Sequence, residues 1–119
     1  MISSKHRFHG PISLRYVYRN GQTTRGPLFS IKSTVNRRRD TYRAAVVVGR
    51  KVNKSAVVRN RIRRRLYETI RAVEQDITEP YDVVVTVFHD AVASEPSESL
   101  NKLMKKQLSI AGVLVKRIK

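Results

Sequence analysis

The chain has 119 residues, no cysteine and a net charge of +16. A chain of this length forms one domain, and the lack of cysteine excludes disulfides and thiolate metal sites. No apolar run reaches the roughly 18 to 20 residues of a membrane span, and the polar start does not have the pattern of a signal peptide. We therefore expect one cytoplasmic domain over residues 1–119, with mobile ends at residues 1–6 and 113–119.

The positive charge is unevenly distributed along the chain. Residues 1–73 carry 19 Lys and Arg against 2 acids, whereas residues 74–119 carry 6 against 7. Such a concentration of positive charge attracts polyanions. A membrane surface is the poorer partner, because no segment combines a basic face with the large apolar face that interfacial helices need. The distribution predicts a nucleic-acid partner.

The first regular element is predicted to be a short helix. Leu14, Val17 and Tyr18 have helical spacing, and Asn20 and Gly21 are typical of a helix end. After the breaker segment 21–27, residues 28–35 alternate in the manner of a strand.

Two further apolar runs also predict strands. Residues 44–48 are apolar on both faces, which favours a central strand, and we expect this run to form a hairpin with residues 28–35. Residues 81–88, YDVVVTVF, predict a second central and buried strand. Spaced leucines from residue 100 onward predict a final amphipathic helix that ends near Gly112.

Between these strands, an amphipathic helix of about 18 residues is predicted to follow Asn53 or Ser55, either of which can cap it. At 100° per residue, its buried stripe comprises Val58, Ile62, Leu66, Thr69 and Val73. The opposite face comprises Asn60, Arg64, Tyr67 and Arg71, flanked by Arg59 and Arg63 on one side and by Arg61 and Arg65 on the other.

An array of arginines on one helix matches phosphate oxygens, because guanidinium is planar, permanently charged and forked. Solvated helix faces normally mix charges of both signs, but here only Glu68 offsets the arginines. Uncompensated repulsion favours an anionic partner, RNA or DNA. The three histidines are scattered and no metal-binding or phosphate-binding motif occurs, so an independent nuclease site is not expected.

The order of the predicted elements indicates an α+β fold, with helices packed on one sheet. The run SAVVRNRIRRRLYE, preceded by Arg50 and Lys51, resembles the signature of the bacterial ribonuclease P protein component, with weaker similarity over residues 5–112. The resemblance implies a single-domain α/β sandwich of a four-stranded sheet and three helices, with a left-handed βαβ crossover.

The resemblance also implies a function. The family supplies the protein subunit of a ribonucleoprotein endonuclease, in which the RNA subunit performs the hydrolysis with Mg²⁺ and the protein has no catalytic residue or metal of its own. Its partners are the catalytic RNA and precursor tRNA, whose single-stranded 5′ leader is removed; no small-molecule substrate or membrane is involved. The alternative from composition is a small ribosomal, rRNA-binding protein without a processing role.

Transferred by position, the resemblance implies two sets of binding residues. The catalytic RNA would contact Arg59, Asn60, Arg61, Arg63, Arg64, Tyr67 and Arg71. A cleft for the precursor leader would be lined by Arg7, Leu14, Tyr18, Phe29, Ile31, Arg50 and Lys51. Leu14 and Tyr67 depart from the residues that the family usually carries at these positions.

Overall fold

The computed structural model describes residues 6–8 and 11–115 of the chain. These contain helices α1 (Pro11–Asn20), α2 (Ala56–Val73) and α3 (Ser97–Ile110) and strands β1 (Gln22–Arg25), β2 (Phe29–Val35), β3 (Arg43–Val48) and β4 (Tyr81–Val87). Short 3-10 helices lie at Glu74–Asp76 and Asp90–Ala93. Within the described residues, no helix combines the length and apolar character needed to cross a membrane.

The strands form one mixed sheet in the order β1-β2-β4-β3. Strand β2 runs antiparallel to both β1 and β4, whereas β3 runs parallel to β4. The run YDVVVTV is therefore a central strand, as its apolar sequence predicted. The four strands, the three helices and the parallel β3–α2–β4 unit confirm the expected fold, while the hand of that crossover stays a prediction.

The predicted hairpin between β2 and β3 is wrong, because β4 lies between these two strands. Strand β3 is an edge strand, yet three of its residues in succession, Ala44, Ala45 and Val46, are buried. Ala44 and Val46 belong to the core under α2, and Ala45 belongs to a second cluster on the other face of the sheet. Packing on both faces, by α2 on one and by Phe8 and Val17 on the other, gives an edge strand the apolar sequence of a central one.

On its other side β2 pairs with β1. This strand lies in residues 21–27, which were predicted to interrupt regular structure. Gln22 is level with Ser33, and Arg25 with Ser30. All four residues of β1 are polar, so no alternating apolar pattern indicated a strand there.

The main core fills the space between the sheet and helices α2 and α3. Phe29 and Ile31 are fully buried in it and contact no solvent, so their predicted place in a leader cleft is wrong. The alternation of β2 explains the correction, because its apolar face packs against the two helices and its polar face, with Lys32, points toward α1. A smaller cluster beneath α1 comprises Phe8, Val17, Ala45 and Val84.

The described parts of both chain ends are packed, although mobility was expected there. Val113 is buried, and the backbone amide of Val115 donates to the carbonyl of Asp76 at 2.9 Å. At the other end, the Nδ1 of His6 lies 3.0 Å from the carbonyl oxygen of Tyr42. Residues 1–5 and 116–119 of the two predicted mobile ends lie outside the described residues.

Candidate nucleic-acid interface

Helix α2 begins and packs as its sequence predicted. The Oγ of Ser55 accepts a hydrogen bond from the amide of Val58 at 3.3 Å and caps the helix, while Asn53 stabilises the preceding turn. Ile62, Leu66 and Thr69 of the predicted stripe are buried. Because this stripe fixes the rotation of the helix, it also determines which arginines can reach solvent.

Three of the arginines donate to backbone carbonyl groups. Arg59 donates to two carbonyls of the turn before the helix, at 3.0 and 2.9 Å. Arg61 donates to the carbonyl of Ala93 at 3.0 Å, and Arg65 to that of Val92 at 2.6 Å and to Glu95. The contacts of Arg61 and Arg65 join α2 to the segment after β4. Only part of the predicted arginine array therefore faces outward without such a contact.

A groove of about 560 Å³ lies between α2 and the edge strand β3. We call it the arginine groove; its lining residues are Arg7, Val46, Val57, Asn60, Arg63, Arg64 and Tyr67. Within it, Arg63 donates to the Oδ1 of Asn60 at 2.5 Å. The lining contains three arginines and no acid, which is the composition expected of a phosphate-binding surface.

Tyr67 forms the floor of this groove, although the sequence placed it on the outward face with Asn60 and Arg64. Its side chain is only 8% exposed, and its hydroxyl accepts a hydrogen bond from the amide of Val46 at 3.1 Å. That amide faces away from β4, so the tyrosine supplies a partner that no neighbouring strand provides. The prediction of an exposed ring is therefore wrong.

The other basic residues of the prediction lie outside the lining of the groove. Arg71 is exposed in the last turn of α2, and Arg50 and Lys51 are exposed in the turn after β3. Arg7, which the family resemblance placed in the leader cleft, lies instead in the arginine groove.

On the opposite side of the sheet, α1 presents Tyr18 to solvent. The ring is 41% exposed, and the Nζ of Lys32 lies 5.9 Å from its centroid. Leu14 is partly buried against the cluster beneath α1. The structure thus brings Tyr18 together with a lysine that the sequence analysis did not select, on the polar face of β2. We call the sheet surface around these two residues the α1 face.

Two other exposed apolar residues were not among the site residues predicted from the sequence. Phe88 directly follows β4 and is 44% exposed; strand alternation places it on the same face as Val84, beneath α1. Val57 is 75% exposed at the mouth of the arginine groove. The period-2 pattern of β4 could have indicated the face of Phe88. The helical projection of α2 could have placed Val57, about 140° from Ile62, on the outward face.

No group of three or more His, Asp or Glu side chains that could hold a metal ion occurs among residues 6–8 and 11–115. The arginine groove offers guanidinium groups that can bind anions, and the α1 face offers an exposed ring on which a flat group can stack.

Comparison with known protein families identifies the fold and its role. The sequence model of the family described as Ribonuclease P matches residues 2–112. The chain belongs to the Ribonuclease P protein family. A ribonuclease P protein component from Pseudanabaena is 32% identical over 115 residues, covering 96% of this chain and 97% of that protein. One from Chloroflexus aurantiacus is 36% identical over 95 residues, covering 80% and 69%.

Solved ribonuclease P proteins share the fold. The protein from Staphylococcus aureus superposes with a TM-score of 0.81 at 21% identity, covering 92% of this chain and 98% of that one. The protein from Thermotoga maritima superposes with a TM-score of 0.72 at 20% identity, covering 82% and 89%. The α/β sandwich inferred from the resemblance is thereby confirmed.

Membership of the family confirms the predicted role as the protein subunit of the ribonucleoprotein endonuclease ribonuclease P, which acts in tRNA processing. Its partner is the RNA subunit of that enzyme. The alternative of a ribosomal protein is not favoured. Neither the family nor the fold assigns individual residues of this chain to either RNA.

Proposed function

We propose that the arginine groove of this ribonuclease P protein binds the catalytic RNA, and that its α1 face binds the single-stranded 5′ leader of precursor tRNA. The observation that carries the proposal is the composition of the groove, which contains three arginines and no acid. In the cytoplasm, this pair of contacts would aid endonucleolytic removal of the leader.

The groove suits a folded RNA because its cations lie on both of its sides. Arg63 is oriented by Asn60, and Arg7 lies on the strand side of the groove, across from Arg64 on the helix. Guanidinium groups on both sides of a groove can bind several phosphates of a folded backbone at once. Arg71, and the parts of Arg59 and Arg61 that remain exposed, extend the positive charge along the helix.

The α1 face suits a single strand, because it offers flat rings beside cations. Bases stack on exposed aromatic rings, and neighbouring lysines and arginines bind the backbone. Tyr18 and Lys32 supply one such pair. Phe88 directly follows Val87, which pairs with Val48, and the turn that carries Arg50 and Lys51 begins just after Val48.

The hydrolysis itself is assigned to the RNA subunit with its Mg²⁺, and the protein contributes binding. Positive charge on both faces of the sheet reduces the repulsion between two polyanions, the catalytic RNA and its substrate. Less Mg²⁺ is then needed to screen that repulsion.

Cleavage of a precursor tRNA by the matching catalytic RNA, with and without the protein, tests this function. At low Mg²⁺ the protein should raise the cleavage rate, and the protein alone should cleave nothing. The proposal fails if the protein leaves the rate unchanged at every Mg²⁺ concentration, or if rigorously RNA-free protein cleaves the precursor.

We expect Tyr18→Ala to reduce the preference of the complex for precursor over mature tRNA by about 1 to 3 kcal/mol, because one base stack is lost. Tyr18→Phe retains the ring and should retain the preference. Binding constants for both RNAs, measured with complexes of each variant, give the ratio. A Tyr18→Ala protein with an unchanged ratio and an unchanged melting temperature would contradict the assignment of the leader to the α1 face.

A further inference from the structure

We propose that His6 and Phe8 are positioning residues that hold Arg7 in the arginine groove. This inference rests on the proposed function, because it assigns Arg7 a phosphate of the catalytic RNA. Residues 6–8 lie beside the edge strand β3, and Arg7 pairs with Ala44 as a parallel bridge. The two neighbours of Arg7 are each anchored by a separate set of contacts, and we call this three-residue segment the clasp.

Phe8 provides the first anchor. Its side chain is buried in the cluster beneath α1, and its backbone amide donates to the carbonyl of Ala44 at 3.2 Å. The guanidinium carbon of Arg43 lies 4.7 Å from the centroid of the phenyl ring, within range of a cation–π contact. Both the backbone and the ring of Phe8 are thus fixed to β3.

The arginine beneath Phe8 is itself held firmly. Arg43 donates from Nε and Nη2 to the two carboxylate oxygens of Asp82, each at 3.0 Å. Asp82 is only 2% exposed and also accepts a hydrogen bond from the Nδ2 of Asn36 at 2.9 Å. A buried, bidentate ion pair with a further hydrogen bond has one well-defined geometry, so it gives Phe8 a rigid support.

His6 provides the second anchor. Its Nδ1 lies 3.0 Å from the carbonyl oxygen of Tyr42, to which it donates, and the two rings stack with centroids 4.2 Å apart and an interplanar angle of 8°. The Tyr42 hydroxyl donates to the Oε1 of Glu74 at 2.9 Å. Burial, together with this hydrogen bond and the charge of Glu74, raises the pKa of Tyr42, so the hydroxyl remains a donor.

The direction of Arg7 follows from these anchors. Successive side chains of an extended segment point to opposite faces, and Phe8 points toward α1. Arg7 therefore points toward α2, where it lines the groove with Arg63 and Arg64. Without RNA, these like charges repel one another, and the anchors on either side keep Arg7 in place against that repulsion. The ordering of the segment then precedes RNA binding, which raises affinity.

A double-substitution cycle tests this inference, with the dissociation constant of the protein and the catalytic RNA as the measured quantity. Arg7→Ala and His6→Ala should each weaken binding about tenfold, since one loses the contact and the other loses its pre-ordering. The double variant should bind no more weakly than Arg7→Ala alone. His6→Phe retains the stack on Tyr42 and should recover part of the affinity.

The salt dependence of binding provides a readout that a merely structural role of His6 would not change. Arg7→Ala should reduce the log–log salt slope by about 0.7 to 0.9, the value of one phosphate contact. His6→Ala, which removes neither a lysine nor an arginine, should reduce the slope by a similar amount when measured at pH 8. Melting temperatures recorded in parallel show whether each variant remains folded.

The possible results separate the clasp from the proposed function. If Arg7→Ala weakens binding while His6→Ala leaves the salt slope unchanged, or adds its full effect to the double variant, the clasp is overturned and the groove is retained. If Arg7→Ala binds as the native protein does, the clasp is overturned because Arg7 contacts no RNA. If the proposal that the arginine groove binds the catalytic RNA is itself wrong, Arg63→Ala/Arg64→Ala should bind that RNA as tightly as the native protein does.

Discussion

Replacing both Arg63 and Arg64 with Ala is expected to weaken binding of the catalytic RNA at least about a hundredfold. A hydrogen bond to a charged group contributes about 1.5 to 3 kcal/mol, and two such contacts are lost. Neither residue belongs to the core, and Ala has a high helix propensity, so the fold should be retained. The dissociation constant at one fixed salt concentration measures the effect.

Lys105→Ala/Lys106→Ala is the matched control for this variant. It removes two positive charges from exposed positions on α3, outside the arginine groove. We expect a change in affinity of less than about threefold, because salt screens exposed charges that do not contact the RNA. An equal loss of affinity in both variants would show that total charge, rather than the groove, determines binding.

Phe29→Ala is expected to lower the free energy of unfolding by about 3 to 5 kcal/mol, because it leaves a cavity in the main core. A domain of this size has only about 5 to 15 kcal/mol in total. Lys32→Ala, on the opposite face of the same strand, should change stability by less than about 0.5 kcal/mol and should weaken leader binding.

Urea unfolding of both variants measures the changes in stability, and the ratio of precursor to mature tRNA binding measures the change in leader binding. The two substitutions distinguish the faces of β2 because each affects one property and leaves the other nearly unchanged. If the Phe29→Ala protein has native stability but no longer distinguishes precursor from mature tRNA, the original prediction of Phe29 in the leader cleft is correct.

The bounds and the buried face of α2 could be predicted from the sequence, because helical periodicity and the Ser55 cap are local signals. The roles of its arginines could not. Arg61 and Arg65 reach carbonyl groups of Ala93 and Val92, which are 32 and 27 residues away in the chain. A long side chain can leave the face on which its backbone lies, so a helical projection locates the Cα but not the guanidinium.

Strand β2 shows a different limit. Alternation separated Phe29 and Ile31 from Lys32, and packing against α2 and α3 confirmed that separation. The choice of the apolar side for RNA binding came from the family resemblance, and it conflicted with the rule that the apolar face of a strand packs in the core. The strand order could not be predicted for another reason. No local sequence pattern shows that residues 81–87 pair between β2 and β3.

The insertion of β4 between β2 and β3 affects how the chain folds. The β1–β2 hairpin is local and can form early, but β3 has no neighbouring strand until residues 81–87 have been synthesised. Pairing across such sequence separations slows folding, since loop-closure entropy is lost before the contacts form. The basic first two thirds of the chain therefore emerge from the ribosome before the strand that completes their sheet.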